Sequence, residues 1–128
     1  MRVKIEACLN PTESPEKLSL ALKSIFPSAD FSCRENLFLA EGDQKIVEHF
    51  SSLLEKQRIR DSANVHLRLK AHHGRLKFFL NKQAAFAGKV NFCSDCAMGP
   101  IVVEIEGEDL LQFIDRISPR TGGEEDED

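Results

Sequence analysis

The apolar residues of this chain switch repeatedly between the spacing of a β-strand and the spacing of an α-helix. Residues 2–9 alternate apolar and polar side chains, which predicts a half-buried strand. Residues 15–25 repeat apolar side chains every three to four positions, which predicts a helix, with Ser14 as its N-cap and Pro15 at its first position. The same criteria predict strands near 31–40, 76–80, 89–92 and 101–105, and helices near 46–54, 61–73, 82–87 and 108–117.

This order of elements predicts an α+β fold in one domain. Strands and helices are interleaved without a regular β-α repeat, so we expect a mixed β-sheet with helices packed on one face, a two-layer architecture. A chain of 128 residues has the length of a single domain, which we place at residues 1–118. Residues 119–128 are polar and end in five acids, and this composition predicts an acidic, disordered tail.

The charge of the chain is unevenly distributed. Seventeen Lys and Arg against 21 Asp and Glu give a net charge of -4, which by itself argues against a dedicated nucleic-acid-binding protein. Five of those acids are residues 124–128, and the other 16 acids face 17 bases, which leaves +1. Residues 56–89, which we call the basic segment, hold nine bases and one acid, Asp61, and carry +8. The acidic total therefore does not exclude a nucleic-acid partner.

Within the basic segment, one face of the predicted strand at residues 76–80 has the side chains typical of a site for single-stranded RNA. If Leu76 and Phe78 point into the core, then Arg75, Lys77 and Phe79 share the opposite face, because side chains alternate along a strand. Cations beside a stacking ring are typical of such sites, and stacking contributes about 1–3 kcal/mol per base. The predicted RNA-binding residues are Arg58, Arg60, Arg68, Lys70, Arg75, Lys77, Phe79, Asn81, Lys82, Gln83 and Lys89.

Two other interpretations of the same residues stay open. The basic segment is an ordinary solvated face if Phe79 packs under a helix. Alternatively, the sheet face or edge is a protein–protein interface, and the chain is then a homodimerisation or interaction module without catalysis.

The cysteines and histidines do not predict a metal site. Cys93 and Cys96 have the spacing of half a zinc site or of a redox pair, but the sequence offers no second such pair. We therefore expect Cys93 and Cys96 to be two thiols in a loop rather than zinc ligands. We expect no cofactor. His72 and His73 precede Gly74 at a predicted helix end, which favours capping or phosphate contact. We expect His49 on the second predicted helix to be structural and His66 to join the basic face.

No arrangement of residues predicts catalysis or a membrane span. Glu104 and Glu106 alternate with Val103 and Ile105 on one strand and are expected to face solvent. The sequence lacks a phosphate-binding glycine motif and a nucleophile motif, so we expect a protein that is not an enzyme. No apolar run approaches the roughly 20 residues of a membrane helix, and we expect a cytoplasmic protein.

Short motifs that cover nearly the whole chain apart from the tail carry a family resemblance. The most specific is the Asn-Lys-Gln-Ala-Ala run within residues 79–92. Together the motifs resemble landmarks of an uncharacterised archaeal family, UPF family two hundred and one. The resemblance implies a fold like that of large-subunit ribosomal protein five and a role in RNA binding. Asn64, where the family tends to carry arginine, and the Cys93–Cys96 connection depart from the pattern. The other motifs are at residues 10–13, 26–27, 58–63, 99–101 and 119–121.

Overall fold

A six-stranded antiparallel sheet carries five helices on one face in the computed structural model, which describes residues 1–96 and 98–120. The strands are β1 (Arg2–Cys8), β2 (Ser32–Arg34), β3 (Leu37–Gly42), β4 (Ala71–His72), β5 (Arg75–Asn81) and β6 (Pro100–Glu106). The helices are α1 (Pro15–Ile25), α2 (Glu48–Lys56), α3 (Arg60–Lys70), α4 (Lys82–Phe86) and α5 (Leu110–Ile117), and a 3-10 turn (Gln44–Val47) leads into α2. Among the described helices, none has the length and apolar character needed to cross a bilayer.

The strands follow the order β2-β3-β1-β6-β5-β4 across the sheet. Every pairing between these strands is antiparallel, so the prediction of a mixed sheet was wrong in that detail. The α+β class is confirmed, and so is the placement of the helices on one face. The two central strands, β1 and β6, are neighbours although 91 residues separate the end of one from the start of the other. Such a long-range pairing cannot be read from local patterns.

The core lies between the sheet and the helices. Alternate residues of β1, β5 and β6 are buried on the inner face of the sheet, as the period of two requires. The ring of Phe50 on α2 joins the layers, because its centroid lies 6.1 Å from that of Phe26 and 5.7 Å from that of Phe78. The opposite face of the sheet carries no helix among the described residues, and we call it the open face.

The start of α1 follows its predicted capping signal. The Ser14 hydroxyl accepts a hydrogen bond from the Lys17 backbone amide at 3.3 Å, and Pro15 occupies the first turn, where no amide donor is needed. Leu18, Leu22 and Ile25 are buried together, which confirms the predicted apolar face.

Two tight hairpins were not predicted. Residues 31–40 were predicted as one strand, but Glu35 and Asn36 have φ values of 51° and 64° and turn the chain between β2 and β3. The predicted helix 61–73 likewise ends at Lys70, because β4 and β5 pair around a turn in which His73 and Gly74 have φ values of 51° and 75°. Consecutive left-handed residues are typical of two-residue hairpin turns. Asn36 and Gly74 are usual residues at such positions, whereas Glu35 and His73 are uncommon there.

The predicted strand at 89–92 was also wrong. Only Phe92 forms a bridge there, to Leu80. The Gln57 side chain holds both backbone groups of Val90: its Oε1 accepts from the Val90 amide at 2.6 Å, and its Nε2 donates to the Val90 carbonyl at 2.9 Å. A backbone satisfied by a side chain does not need a ladder. The predicted disordered tail falls mainly on residues 121–128, which lie outside the described residues.

Candidate nucleic-acid interface

The face predicted for β5 exists. Arg75 and Lys77 are exposed, Phe79 is half-buried, and all three lie on the open face, while Leu76, Phe78 and Leu80 are buried on the inner face. The alternation inferred from the sequence is therefore confirmed. Whether this face contacts RNA stays a prediction.

The neighbouring strand β6 places acids against these cations. Arg75 lies opposite Glu106, and Arg75 Nη2 is 3.4 Å from Glu106 Oε1. Lys77 lies opposite Glu104, and Lys77 Nζ is 3.8 Å from Glu104 Oε1. Exposed pairs of this kind contribute little to stability, but they offset the positive charge that a phosphate would need.

The other side of β6 repeats this arrangement. On β1, Lys4 pairs with Glu6 at 3.1 Å and lies opposite both Glu104 and Glu41. The hydrogen bond and charge of Glu6, with the charges of Glu104 and Glu41, raise the pKa of Lys4 above its ordinary value. Across β3, β1, β6 and β5, the open face holds four bases and four acids and is neutral. These residues are Arg2, Lys4, Arg75, Lys77, Glu6, Glu41, Glu104 and Glu106.

Lys82 cannot contact RNA as predicted, because it is 1% exposed. Its ammonium group donates to Glu13 Oε1 at 3.0 Å, to the Met98 carbonyl at 3.0 Å and to the Cys8 carbonyl. Glu13 is buried too, with a side chain 5% exposed. The prediction for Lys82 was wrong because a lysine after a strand can turn inward when a buried carboxylate receives it.

The Lys82 ammonium group links two of the motifs that carry the family resemblance, at residues 10–13 and 79–92, to Met98, which directly precedes the motif at 99–101. Glu13 Oε1 also accepts from the Asn10 backbone amide at 2.8 Å, and the Asn10 side chain donates to the Met98 carbonyl at 2.8 Å. Segments near residues 10–13, 81–85 and 98–100 are thereby fixed to one another. In this chain, the residues of these motifs that contact Lys82 therefore have a structural role.

Four other residues that were predicted to bind RNA either make contacts within the protein or lie away from the open face. Asn81 caps α4, since its Oδ1 accepts from the backbone amide of Gln83 at 2.8 Å, while the Gln83 side chain is exposed. Arg60 Nη1 lies 3.4 Å from Glu55 Oε2, so this arginine forms an ion pair within the protein. Lys70 is exposed at the end of α3, on the helix side of the sheet.

Arg68 belongs to a polar network between α3 and α5. Its guanidinium group donates to both carboxylate oxygens of Asp115 at 2.7 Å, and its Nε donates to Asn64 Oδ1 at 2.9 Å. Asn64 is fully buried and donates to Asp115 Oδ1 at 2.9 Å and to the Ser118 carbonyl at 2.8 Å. The bonds from Asn64 and Arg68 lower the pKa of Asp115. Arg68 therefore joins two helices.

Four bases of the basic segment have no acidic partner among the described residues: Lys70 at the end of α3, and Lys56, Arg58 and Lys89, which form a separate group. The clamp between Gln57 and Val90 brings the three bases of this group to one region, because Gln57 lies between the first two in sequence and Val90 follows the third. All three are exposed. Arg58 also has φ of 58°, a left-handed conformation that is uncommon for a residue other than glycine.

Phe86 adds an aromatic ring to this region, and its contribution was not predicted. It is 46% exposed on α4, the most exposed of the nine phenylalanines. With Lys17, Leu20 and Ser24 of α1 it lines an open depression of about 650 Å³. The Ser24 hydroxyl donates to the Ala85 carbonyl at 3.2 Å, and the Lys89 amide donates to the Ala84 carbonyl at 2.9 Å, so α1, α4 and Lys89 are close.

We call this set the helix-side surface: Lys17, Lys56, Arg58, Phe86 and Lys89. It lies on the side of the sheet away from Arg75, Lys77 and Phe79, so the structure divides the predicted RNA-binding residues between two faces. A sequence signal existed, because Leu20 falls outside the apolar face of α1 and marks an exposed apolar position beside Lys17.

The structure corrects the predictions for Cys93 and Cys96 and for His72 and His73. Cys93 and Cys96 form a disulfide, so the prediction of two free thiols was wrong. Among the described residues, no group of three or more His, Cys, Asp or Glu side chains has the arrangement of a metal site. His72 lies in β4 and His73 in the turn after it, so neither caps α3. His49 is half-buried on α2.

His66 packs into the helix layer and does not join a basic face. Its ring centroid lies 4.6 Å from that of Phe92, and its Nε2 is buried without a hydrogen-bond partner among the described residues. Burial, followed by the charge of Lys70, lowers the pKa of His66, so its neutral form is favoured.

The comparisons with known proteins assign the family. A UPF0201 protein of Methanothermobacter thermautotrophicus is 34% identical over 127 residues, which cover 98% of this chain and 96% of that one. The chain belongs to the UPF0201 family. A UPF0201 protein of Methanocaldococcus jannaschii is 42% identical over 129 residues and covers 96% of this chain and 75% of its own. A family model described as RNA binding matches residues 2–108.

Solved structures of UPF0201 proteins share the fold. A crystal structure of the UPF0201 protein from Methanococcus jannaschii superposes with a TM-score of 0.83 at 35% identity, and the match covers 93% of this chain and 100% of that one. Another UPF0201 crystal structure superposes with a TM-score of 0.84 at 31% identity, over 94% of this chain and 95% of that one. The implied likeness to ribosomal protein five stays a prediction.

Proposed function

We propose that this UPF0201 protein binds RNA and that the helix-side surface makes the contact. The match of residues 2–108 to a family model described as RNA binding is the observation that carries the function. The placement rests on the local charge, because Lys56, Arg58 and Lys89 have no acidic partner among the described residues. A phosphate reaches these cations without displacing a carboxylate.

The chemistry of this surface suits a flexible single strand. The exposed Phe86 ring offers a stacking face for a base, and the cations around it neutralise the backbone. Binding of this kind is tolerant of sequence, because every base has a face that stacks. The function is one of binding, with no chemical step and no cofactor.

The conformation of Arg58 supports a role in binding. A left-handed residue other than glycine costs on the order of 1 kcal/mol relative to glycine. This arginine is nevertheless exposed in the turn between α2 and α3, where no protein contact among the described residues uses its charge. A strained, unpartnered cation beside two others is consistent with a phosphate contact.

The open face is the less suitable RNA surface, although it holds Arg75, Lys77 and Phe79. Arg75 and Lys77 each have a glutamate from β6 within 4 Å. A phosphate bound to either cation would therefore approach Glu106 or Glu104. Repulsion by these carboxylates offsets the attraction of the cations.

Two matched phenylalanine substitutions test the proposal. Phe86→Ala should weaken binding of a fluorescein-labelled single-stranded RNA of mixed sequence by about 5- to 150-fold, the loss of one stacked base, in a fluorescence anisotropy titration. Phe79→Ala should leave the affinity within about twofold. The reverse result would move the site to the open face. No binding by the unmodified protein at low salt would contradict RNA binding itself.

A further inference from the structure

The open face has charges arranged in alternating signs. The register of the strands gives one row of Glu41, Lys4, Glu104 and Lys77 across β3, β1, β6 and β5. The signs along this row are minus, plus, minus, plus. The next row, Arg2, Glu106 and Arg75, has the signs plus, minus, plus. Because the charges of this surface balance, it does not repel an acidic or a basic partner as a whole. Which partner it binds depends on the pattern of its charges.

Apolar side chains fill the other half of this face. Leu39 of β3, Val102 of β6 and Phe79 of β5 lie in one row of the sheet, in which Glu6 of β1 lies between Leu39 and Val102 and Ser32 of β2 lies at the end beside Leu39. The three apolar residues of this row are only half-buried. Beyond them, Leu37, Met98 and Pro100 contribute to a depression of about 420 Å³, and Met98 is 43% exposed. An apolar strip beside a patterned charged strip is typical of a protein interface rather than a phosphate-binding surface.

We infer that the open face is the interface of a homodimer in which two sheets stack face to face. A two-fold axis parallel to the strands and between β1 and β6 places β1 of one copy over β6 of the second copy, and β3 over β5. Lys4 then faces Glu104 of the second copy, and Glu41 faces Lys77 of the second copy. Arg2 faces Glu106 in the same way, and Leu39 faces Phe79.

The charges also select this axis over its neighbours. An axis along β1 would place Lys4 over Lys4 of the second copy, and an axis along β6 would place Glu104 over Glu104. Both arrangements bring like charges together, which is unfavourable. The position between β1 and β6 is the one that makes every charge of the four-residue row complementary. Stacked sheets with nearly aligned strands are a common arrangement.

The available area predicts a dimer of moderate affinity. Four strands spaced about 4.8 Å apart, each about 24 Å long, offer on the order of 500 Å² of flat surface per copy, below the roughly 800 Å² of a typical stable interface. We therefore expect association that depends on protein concentration and weakens as salt screens the charges. The helix-side surface lies on the other side of each sheet and stays accessible.

Complementary charge reversals test this dimer. One variant carries Lys4→Glu and Lys77→Glu, and the other carries Glu41→Lys and Glu104→Lys, so that each variant opposes itself and complements the other. Sedimentation equilibrium should show a dimer for the unmodified protein and an association constant at least about tenfold lower for each variant alone. An equimolar mixture should restore the dimer, with circular dichroism confirming that both variants fold.

Three results would overturn the inference. The unmodified protein could remain monomeric at the highest soluble concentration. The separate variants could dimerise like the unmodified protein, which would place the interface elsewhere. The mixture could fail to restore the dimer, which would reject this axis. RNA affinity, measured in parallel, should be unchanged in both variants, and a loss of RNA binding there would assign the open face to RNA instead.

Discussion

The helix-side surface and the open face of the sheet contain the same types of residue but differ in their electrostatics. Each presents a phenylalanine among lysines and arginines, and each takes part of them from the basic segment. On the open face, Glu104 and Glu106 of β6 lie beside the cations of β5. On the helix-side surface, Lys56, Arg58 and Lys89 have no such partner among the described residues. Local potential therefore depends on which distant residues the fold brings alongside a basic segment.

The largest expected effect comes from Lys82, a predicted RNA contact that is buried and belongs to neither region. Lys82→Met should lower the free energy of unfolding by about 3–5 kcal/mol, because it leaves the Glu13 carboxylate buried without its cation. Urea unfolding followed by circular dichroism measures this change.

Two further variants sharpen that result. Adding Glu13→Gln to Lys82→Met should recover part of the loss, since the buried charge is then removed. The control Lys89→Met alters an exposed lysine and should change stability by less than about 0.5 kcal/mol. Equal stability losses in the Lys82 and Lys89 variants would contradict the structural role of Lys82.

A smaller effect is expected for Arg58 of the helix-side surface, where one substitution should lower RNA affinity without lowering the free energy of unfolding. Arg58→Gly should weaken RNA binding by about two- to tenfold, the loss of one phosphate contact. The same change relieves a left-handed conformation, so the free energy of unfolding should hold or rise by up to about 1 kcal/mol.

A second left-handed residue provides the control for Arg58. Glu35 has φ of 51° in the hairpin between β2 and β3 and is not part of the helix-side surface. Glu35→Gly should affect stability in the same direction without weakening RNA binding. A parallel loss of stability and RNA affinity in Arg58→Gly would indicate a structural role for this arginine.

The smallest expected effect concerns His66, which was predicted to join the basic face but packs on Phe92. Burial lowers its pKa, so below about pH 6.5 the unfolded chain binds more protons at this site than the folded chain. Its contribution to stability is therefore complete above that pH and decreases as the pH falls towards the folded-state pKa.

Urea unfolding at about pH 7.5 and about pH 5.5 measures this dependence. His66→Gln should reduce the loss of stability on acidification relative to the unmodified protein. The control His73→Gln alters an exposed histidine and should leave the loss unchanged. A greater loss in His66→Gln would show that the folded state favours the protonated ring.

The sequence predicted what depends on local periodicity. The alternation of β5 and the cap of α1 follow from neighbouring residues, and both are confirmed. The hairpin at Glu35 and Asn36 was missed because this pair is not one of the dipeptides, such as Asn-Gly or Asp-Gly, that usually mark a two-residue hairpin turn.

The candidate site depended on contacts that local patterns do not contain. The ion pairs between β5 and β6 and the buried bond from Lys82 to Glu13 join residues 27 or more positions apart. The contribution of Phe86 was likewise hidden, because its exposure depends on how α4 lies against α1. Charge counts along the chain identified the basic segment but not the partners of its residues.

The salt dependence of RNA binding tests the central claim most directly. One variant carries Lys56→Gln, Arg58→Gln and Lys89→Gln, and the matched variant carries Lys4→Gln, Arg75→Gln and Lys77→Gln, so that each loses three positive charges. The slope of log K against log[salt] should become shallower by about 2 in the helix-side variant, since each phosphate contact on a single strand contributes about 0.7. It should stay unchanged in the open-face variant. A shallower slope in the open-face variant, with no change in the helix-side variant, would contradict the account.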